Sequence, residues 1–478
     1  MRTLAFASAL LLTACTAGPD FVRPTPPAVE RYTAEELPNI ALDTRASDAG
    51  AAPGQEWWSI FHAPKLDETV RVALEGNRNL RVAQANLAQA REIYAASRGA
   101  RLPDAELTAA NARNQYGAAF LGGFQLPPFT AYSVGVNVNY LLDYTGGVRR
   151  SIEEQQALAE VREHDATAAH LSLTGNVVLQ ALAIASARAR IRAAEGILDE
   201  DSRNVDLVSK ALQEGSVARV DLLTAQSQLA QDQTLLPPLR QELSAARHAL
   251  AVLVGQAPGN WSPPDFELED FIPPSPLPVS LPSELARRRP DIRASEAQLH
   301  AATAGIGVAT ANLYPQIKLT ASLSQQALKA GDLFNDSAFA FGLSGNLTAP
   351  LFNGGRLRAE QRAAEAARQA ALASYEQTVL SAFGQVADVL AALEHDAQAI
   401  SAQQQALDVA ENNLRLTRES YSAGNVGVLQ ILDAERSVQR ARIGVAGAHA
   451  QRLQDSAELI VALGGDSPLA PAVTASTP

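Results

Sequence analysis

The 478-residue chain carries 51 acidic against 39 basic side chains, a net charge of −12. With no basic cluster to offset that balance, a nucleic-acid partner is disfavoured. A single cysteine, Cys15, leaves no partner for an internal disulfide.

The N-terminus reads as an export signal. Arg2 precedes a short apolar run from Leu4 to Leu12, too short to span a bilayer but suited to a secretory signal's hydrophobic region. Leu12-Thr13-Ala14-Cys15 places small residues before a cysteine, the pattern at which a thiol receives a diacylglycerol. Residues 1–14 are therefore expected to be a lipoprotein signal peptide. Residues 15–65 are expected to be an extended segment anchored through Cys15, with Pro24-Thr25-Pro26-Pro27 opposing regular structure. Thr16 stands where an Asp would signal inner-membrane retention, so an outer membrane is favoured. No other segment is expected to supply the roughly 18 apolar residues of a membrane helix.

The body of the chain is a twofold repeat, expected over 66–256 and 284–465 with a proline-rich linker at 257–283 and a tail at 466–478. In the first repeat, strands are predicted at about 104–115 and 131–142. Val134, Val136, Val138, Tyr140 and Leu142 there alternate with smaller or more polar residues. A long helix follows, with an apolar residue at every seventh position from Val177 through Ile184, Ile191, Leu198 and Val205 to Leu212. A strict seven-residue stripe winds a helix left-handedly around its neighbours. The turn Gly215-Ser216-Val217-Ala218 leads into a return helix striped by Leu222, Leu229, Leu236, Leu243 and Leu250.

The second repeat copies this order. Strands are predicted at about 316–325 and 339–349. A shift of 209 residues lays Val177 on Val386, and the stripe continues through Leu393, Ile400, Leu407 and Leu414 to Tyr421. Its turn is Gly424-Asn425-Val426-Gly427, and its return helix carries Ile431, Val438, Val445, Arg452 and Leu459. Pro237-Pro238 has no counterpart at Ala446-Gly447, so a kink is expected in the first return helix alone.

The strands admit two readings. Runs of about ten alternating residues with aromatics near their ends suit a transmembrane β-barrel. An ordinary antiparallel sheet packed on the helices is the alternative. Four strands cannot close a barrel; two chains would give eight with a filled interior, and three would give twelve around a passage.

The search for chemistry is negative. The seven histidines show no metal-ligand spacing, and Gly305-Ile306-Gly307 lacks the third glycine and preceding strand of a dinucleotide loop. No nucleophile elbow or phosphate loop occurs. A non-enzyme with no cofactor or metal is expected.

Several ordered stretches resemble the TolC-like outer-membrane factor family, in its lipoprotein branch serving resistance–nodulation–division (RND) efflux systems. They are Gly18-Pro19-Asp20-Phe21-Val22-Arg23-Pro24, Trp57-Trp58-Ser59-Ile60-Phe61, Arg289-Pro290-Asp291-Ile292, Ala311-Asn312-Leu313-Tyr314-Pro315, Ala349-Pro350-Leu351-Phe352-Asn353-Gly354-Gly355, Tyr421-Ser422-Ala423-Gly424, Leu432-Asp433-Ala434 and Ala462-Leu463-Gly464-Gly465. Asp466 departs from the Gly expected there, which leaves the role of the tail open.

The resemblance implies a fold class that is mainly α with membrane β. Long coiled-coil helices would form an α-barrel, and four strands per chain would join a trimeric 12-stranded transmembrane β-barrel. It implies an exit duct in the outer membrane, partnered by a periplasmic membrane-fusion adaptor and an inner-membrane RND transporter. The tips Gly215 to Ala218 and Gly424 to Gly427 would dock the adaptor, although their glycines could serve the turn alone. Asp433 would face the threefold axis as a periplasmic gate, where like charges repel; Asp221 is its candidate counterpart in the first repeat, level with Gln430. Against this, Asp433 could be an ordinary solvated charge. Protein secretion by a duct of the same fold, and a non-conducting coiled-coil lipoprotein tether, are the competing functions. Cys15 and the Gly18 to Pro24 stretch favour efflux.

Overall fold

The computed structural model describes residues 16–25, 29, 31–33, 42–43, 56–115, 117, 122, 127–278 and 282–465. The chain divides into two compact units, and each draws on both sequence repeats. One contains residues up to Pro24, Asn86–Glu163 and Ala294–Glu376; the other contains Thr25–Ala85, His164–Arg293 and Gln377 onward.

In chain order the elements are β1 (Leu42–Asp43), α1 (Pro64–Gly76), α2 (Arg78–Gly99), β2 (Asp104–Asn114), β3 (Phe129–Leu142) and α3 (Gly147–Gln213). Then come α4 (Arg219–Asp232), α5 (Leu236–Leu253), β4 (Leu277–Pro278), α6 (Pro282–Arg288), α7 (Pro290–Ala311), β5 (Gln316–Ala327), β6 (Phe339–Thr348), α8 (Arg356–Ser422) and α9 (Val428–Ala462). The two-residue strands β1 and β4 pair in parallel.

The first unit is built on one antiparallel sheet, ordered β2-β3-β5-β6. The β3–β5 pairing joins strands from the two repeats. Register aligns Leu107, Val136, Leu323 and Phe341 in one row, and Ala105, Val138, Ala321 and Leu343 in the next. Glu106, Asn137, Ser322 and Gly342 form a row on the opposite face. One face is thus apolar on all four strands, and it is uncovered: Leu107 is 74% exposed, Phe341 77% and Leu343 83%. An ordinary sheet would turn that face onto the helices; this one does not. The strands β2 and β6 are its two edges.

The second unit holds the core. Trp57, Phe61, Leu66 and Val70 pack with Val177, Leu182 and Ile184 of α3, Leu250 of α5, Phe266 and Phe271 of the linker, and Leu453 and Ile460 of α9. Trp57 donates its indole N–H to Thr174 Oγ1 at 3.0 Å, which satisfies the polar end of a buried ring. The stripe residues Val177, Ile184, Val386 and Leu393 are fully buried, and only Tyr421 at the end of the second stripe is exposed.

One expectation is corrected here. A window of 18 residues within α3 reaches a mean hydropathy of 1.4, enough by length and composition alone to cross a membrane. Half of that window is buried inside the protein, so its apolarity serves helix packing.

The repeats share their end pieces. Both return helices finish in a left-handed glycine, Gly255 at φ +76° and Gly464 at φ +97°. At the last turn of the first, Asn77 donates its side-chain amide to Leu253 O at 2.8 Å. At the matching carbonyl of the second, Ala462 O, the donor is Arg289 Nη1 at 2.9 Å. Each repeat's entry thus satisfies a helix-end acceptor that would otherwise be orphaned. The return helices themselves differ. The first is interrupted by a 3₁₀ turn at Gln233–Leu235 just before Pro237-Pro238, whereas α9 runs unbroken.

Candidate functional site

The chemistry-bearing positions fall in four places. Cys15 lies outside the described residues, but the segment that follows it is held in the first unit. Ala17 N–H donates to Thr145 O at 2.9 Å, and the Arg150 guanidinium, itself buried, reaches Ala17 O at 3.1 Å and Asp20 Oδ1 at 2.5 Å. Phe21 stacks on His300 with centroids 4.4 Å apart, and His300 Nε2 lies 2.9 Å from Glu153 Oε1. Burial raises the Glu153 carboxyl, but hydrogen bonds from His300 and Arg150 and their charge outweigh it and hold it below its ordinary value. A Cβ on Gly18 would meet Gly307 Cα at 2.5 Å, so the pair packs backbone to backbone. This contact accounts for Gly307 of Gly305-Ile306-Gly307.

The tips are the second place, in the other unit. Gly215 (φ +74°) and Gly424 (φ +77°) end α3 and α8 in the left-handed region. Each donates three residues back, to Leu212 O at 3.0 Å and Tyr421 O at 2.9 Å. Ser216 and Asn425 each donate five residues back, to Ala211 O and Ser420 O, both at 2.9 Å. This paired pattern satisfies the last carbonyls of a helix. Val217, Ala218, Val426 and Gly427 complete the turns. Asp221 Oδ2 accepts from Ala218 N–H at 2.9 Å, which opens α4 and engages one of its oxygens.

Asp433 stands in the second turn of α9. Its side chain is 78% exposed, and Oδ1 lies 3.2 Å from Arg436 Nη1. Asp221 and Asp433 are not brought into contact. The sequence reading missed what Arg436 does beyond this pair. Arg436 Nη2 lies 3.1 Å from Asp201 Oδ1 of α3, and Nε lies 3.5 Å from Asp232 Oδ2 at the end of α4. Asp201, Asp232 and Arg436 are all largely buried, Asp201 to 5% exposure. Beside them, Arg418 of α8 lies 2.6 Å from Glu435 of α9, and the Glu200 carboxyl of α3 neighbours Glu435.

Burial, then the hydrogen bond and charge of Glu435, push the Glu200 carboxyl up to about 7. Burial and Asp232 raise Asp201 against the opposing pull of Arg436. The available sequence signal was an acid at 201, three residues after stripe residue Leu198, where a coiled coil expects an apolar side chain.

A third polar cluster joins α8 to α9. Asp396 and Asp455 are both buried and neighbour one another. Burial and that neighbour push Asp396 up to about 7, with Arg452 opposing. Among the described residues, no group of His, Cys, Asp and Glu side chains is arranged to hold a metal ion.

Comparison with known proteins places these features. The family model described as outer membrane efflux protein matches residues 69–256 and 281–465. The cation efflux system protein CusC of Escherichia coli is 30% identical over 468 residues, covering 97% of this chain and 99% of that protein. The pyoverdine export outer membrane protein OpmQ of Pseudomonas putida is 31% identical over 438 residues, covering 88% and 91%. The solved outer-membrane channel OprN superposes with a TM-score of 0.86 at 30% identity, covering 95% of this chain and 99% of that one. The fold is therefore TolC-like, mainly α with one four-stranded sheet per chain, and the family is one of transport proteins. The chain belongs to the outer membrane efflux protein family, as an outer-membrane efflux channel.

Proposed function

We propose that this channel is the exit duct of a tripartite RND-type pump and works as a homotrimer. Four strands from each chain would close a 12-stranded transmembrane β-barrel, continued into the periplasm by an α-barrel of the long helices. The sheet carries this reading. Its apolar face is uncovered on all four strands, and its edges β2 and β6 leave backbone groups unpaired. Lipid does not tolerate such edges, so insertion requires other copies to pair with them. Native mass spectrometry of the detergent-solubilised full chain should give a trimer. A stable monomer or dimer overturns the proposal. Ion conductance in planar bilayers separates a duct from a non-conducting tether.

The remaining assignments belong to the same reading. Residues 1–14 act as the signal peptide and Cys15 carries the lipid. The linker 257–283 joins the repeats 66–256 and 284–465. The partners are a periplasmic membrane-fusion adaptor at the two tips, an inner-membrane RND transporter and the outer-membrane lipid. Asp433, with its carboxylate exposed, gates the periplasmic mouth; Asp221 contributes less, because the start of α4 engages it. Cargo is chosen upstream, since similarly related proteins are named for cations and for pyoverdine.

A further inference from the structure

The gate reading invokes charges on an axis, but the charges that join the two helical hairpins of one chain lie deeper. One hairpin is α3 with α4 and α5, the other α8 with α9. At one level they meet through Asp201 and Asp232 on the first hairpin and Arg436 on the second. A second contact there is Glu200 on the first hairpin against Glu435 on the second, with Arg418 of α8 behind it. The charges bearing on these groups are Asp433 beside Arg436 and Arg203 beside Glu200; Arg203 is itself engaged by Asp199 at 2.6 Å.

Charge balance fails if every group is ionised. Five carboxylates, at 200, 201, 232, 433 and 435, would then face Arg418 and Arg436. Geometry points the same way. Asp201 Oδ2 is buried with no donor in reach, while Asp232 Oδ2 already accepts from Gln228 at 2.8 Å. A buried carboxylate oxygen with no donor is costly. A proton on Asp201 removes that cost by turning the oxygen into a donor toward Asp232, and a proton between Glu200 and Glu435 turns like-charge repulsion into a hydrogen bond.

We propose that the two hairpins are clasped by protons shared within the pairs Asp201–Asp232 and Glu200–Glu435. Losing them as the periplasm becomes less acidic would release one hairpin from the other. This rests on the duct reading, in which the periplasmic end must open, but not on Asp433 being the gate. Both carboxyls, Glu200 and Asp201, are raised above their ordinary values in the clasped state, Glu200 to about 7. Clasping is therefore fully favourable below those ordinary values and weakens as pH rises toward about 7.

Val208, 1% exposed, is the probe position. It lies seven residues after Asp201 on the same buried face of α3. A Val208→Cys variant of the full chain in detergent would be reacted with a maleimide. The modified peptide would be quantified by mass spectrometry and normalised to free glutathione at each pH. Between about pH 5.5 and about pH 7.5 the normalised rate should rise at least roughly tenfold. Adding Glu200→Gln and Asp232→Asn should hold it at the slow, acid value throughout. A flat profile without those substitutions, or an unchanged rise with them, overturns the clasp. Should the combined variant fail to assemble, Glu200→Gln alone must make the rise shallower, and an unchanged slope overturns the proposal equally. Adding Asp433→Ala should leave the pH response intact. Bilayer conductance of Asp433→Ala tests the gate separately.

Discussion

The two hairpins are built to one plan and differ in what they bury. Both tips end in a left-handed glycine with the same pair of backward hydrogen bonds. Both stripes are apolar where the helices pack. Yet the first hairpin places Ala187, Ala246 and Leu243 where the second places Asp396, Asp455 and Arg452. At the clasp the asymmetry is reversed. Glu200, Asp201 and Asp232 of the first hairpin correspond to Val409, Ala410 and Ala441 of the second. Backbone geometry is what the repeat preserves; buried charge is where the halves have diverged. An apolar pair and a protonated acid pair fill similar space, but only the second responds to pH.

The largest expected effect comes from removing the shared cation of the clasp. Arg436→Leu leaves Asp201 and Asp232 buried without it. Breaking a buried pair from one side typically costs about 3–5 kcal/mol. Native-state hydrogen exchange of α9 amides should show destabilisation near the lower figure, since the two acids can still share a proton. A loss below about 1 kcal/mol would mean the clasp contributes little.

A second variant converts one hairpin's core into the other's. Asp396→Ala, Asp455→Ala and Arg452→Leu together reproduce the first repeat. Replacing a buried polar cluster by apolar groups is commonly neutral or stabilising by about 1–4 kcal/mol, and the gain should depend on pH. The Asp396 carboxyl titrates at about 7 in the fold, above its ordinary value. Its contribution is therefore complete below the ordinary carboxylate range and is lost as pH rises to about 7. Hydrogen-exchange protection in α8 and α9, corrected for intrinsic exchange at each pH, should weaken across that window in the native chain and stay level in the variant. A native chain with no pH dependence there would contradict the shared proton.

How far the sequence disclosed this follows from what periodicity encodes. A seven-residue stripe reports apolar faces, so the long helices and their reversals at Gly215 and Gly424 were readable from spacing. Alternation at Val134 to Leu142 reported a two-faced strand but not what covers the apolar face; only the exposure of Leu107, Phe341 and Leu343 answers that. The polar clusters were hidden because their members lie far apart in sequence. Asp201 and Arg436 are joined only by packing, and each alone looks like a surface charge. Arg452 was visible as a break in the stripe, but nothing in sequence said that Asp396 and Asp455 would surround it. Asp433 was picked out by resemblance, and the fold places it on an exposed surface with Arg436 as its partner.

The tips offer a smaller effect and a direct check of the symmetry. A Cβ on Gly215 or Gly424 would meet no other atom within 4 Å, so Gly→Ala at either tests backbone strain alone. Holding an L-residue left-handed costs roughly 1–2 kcal/mol, and the two variants should be destabilised equally. Gly447→Ala, inside α9 and equally uncrowded, should instead stabilise by up to about 1 kcal/mol. Unequal effects at the two tips would show that their turns are not energetically equivalent.

The smallest expected effect on stability, and the most pointed on function, is at Asp433. Its carboxylate is exposed and its partner Arg436 keeps two other acids, so Asp433→Ala should change stability by less than about 1 kcal/mol. If three copies converge on an axis, their mutual repulsion disappears with the charge, and conductance through planar bilayers should rise. Because Asp221 is tied to the start of α4 by its bond from Ala218 N–H, Asp221→Asn should leave conductance nearly unchanged. The two substitutions thus ask whether the pseudo-equivalent helix starts do the same work. Equal rises would make the gate a double ring. A rise for Asp433→Ala alone would assign it to the second hairpin. No change for either would leave Asp433 as one more solvated charge, with the duct held closed by the buried contacts between the hairpins instead.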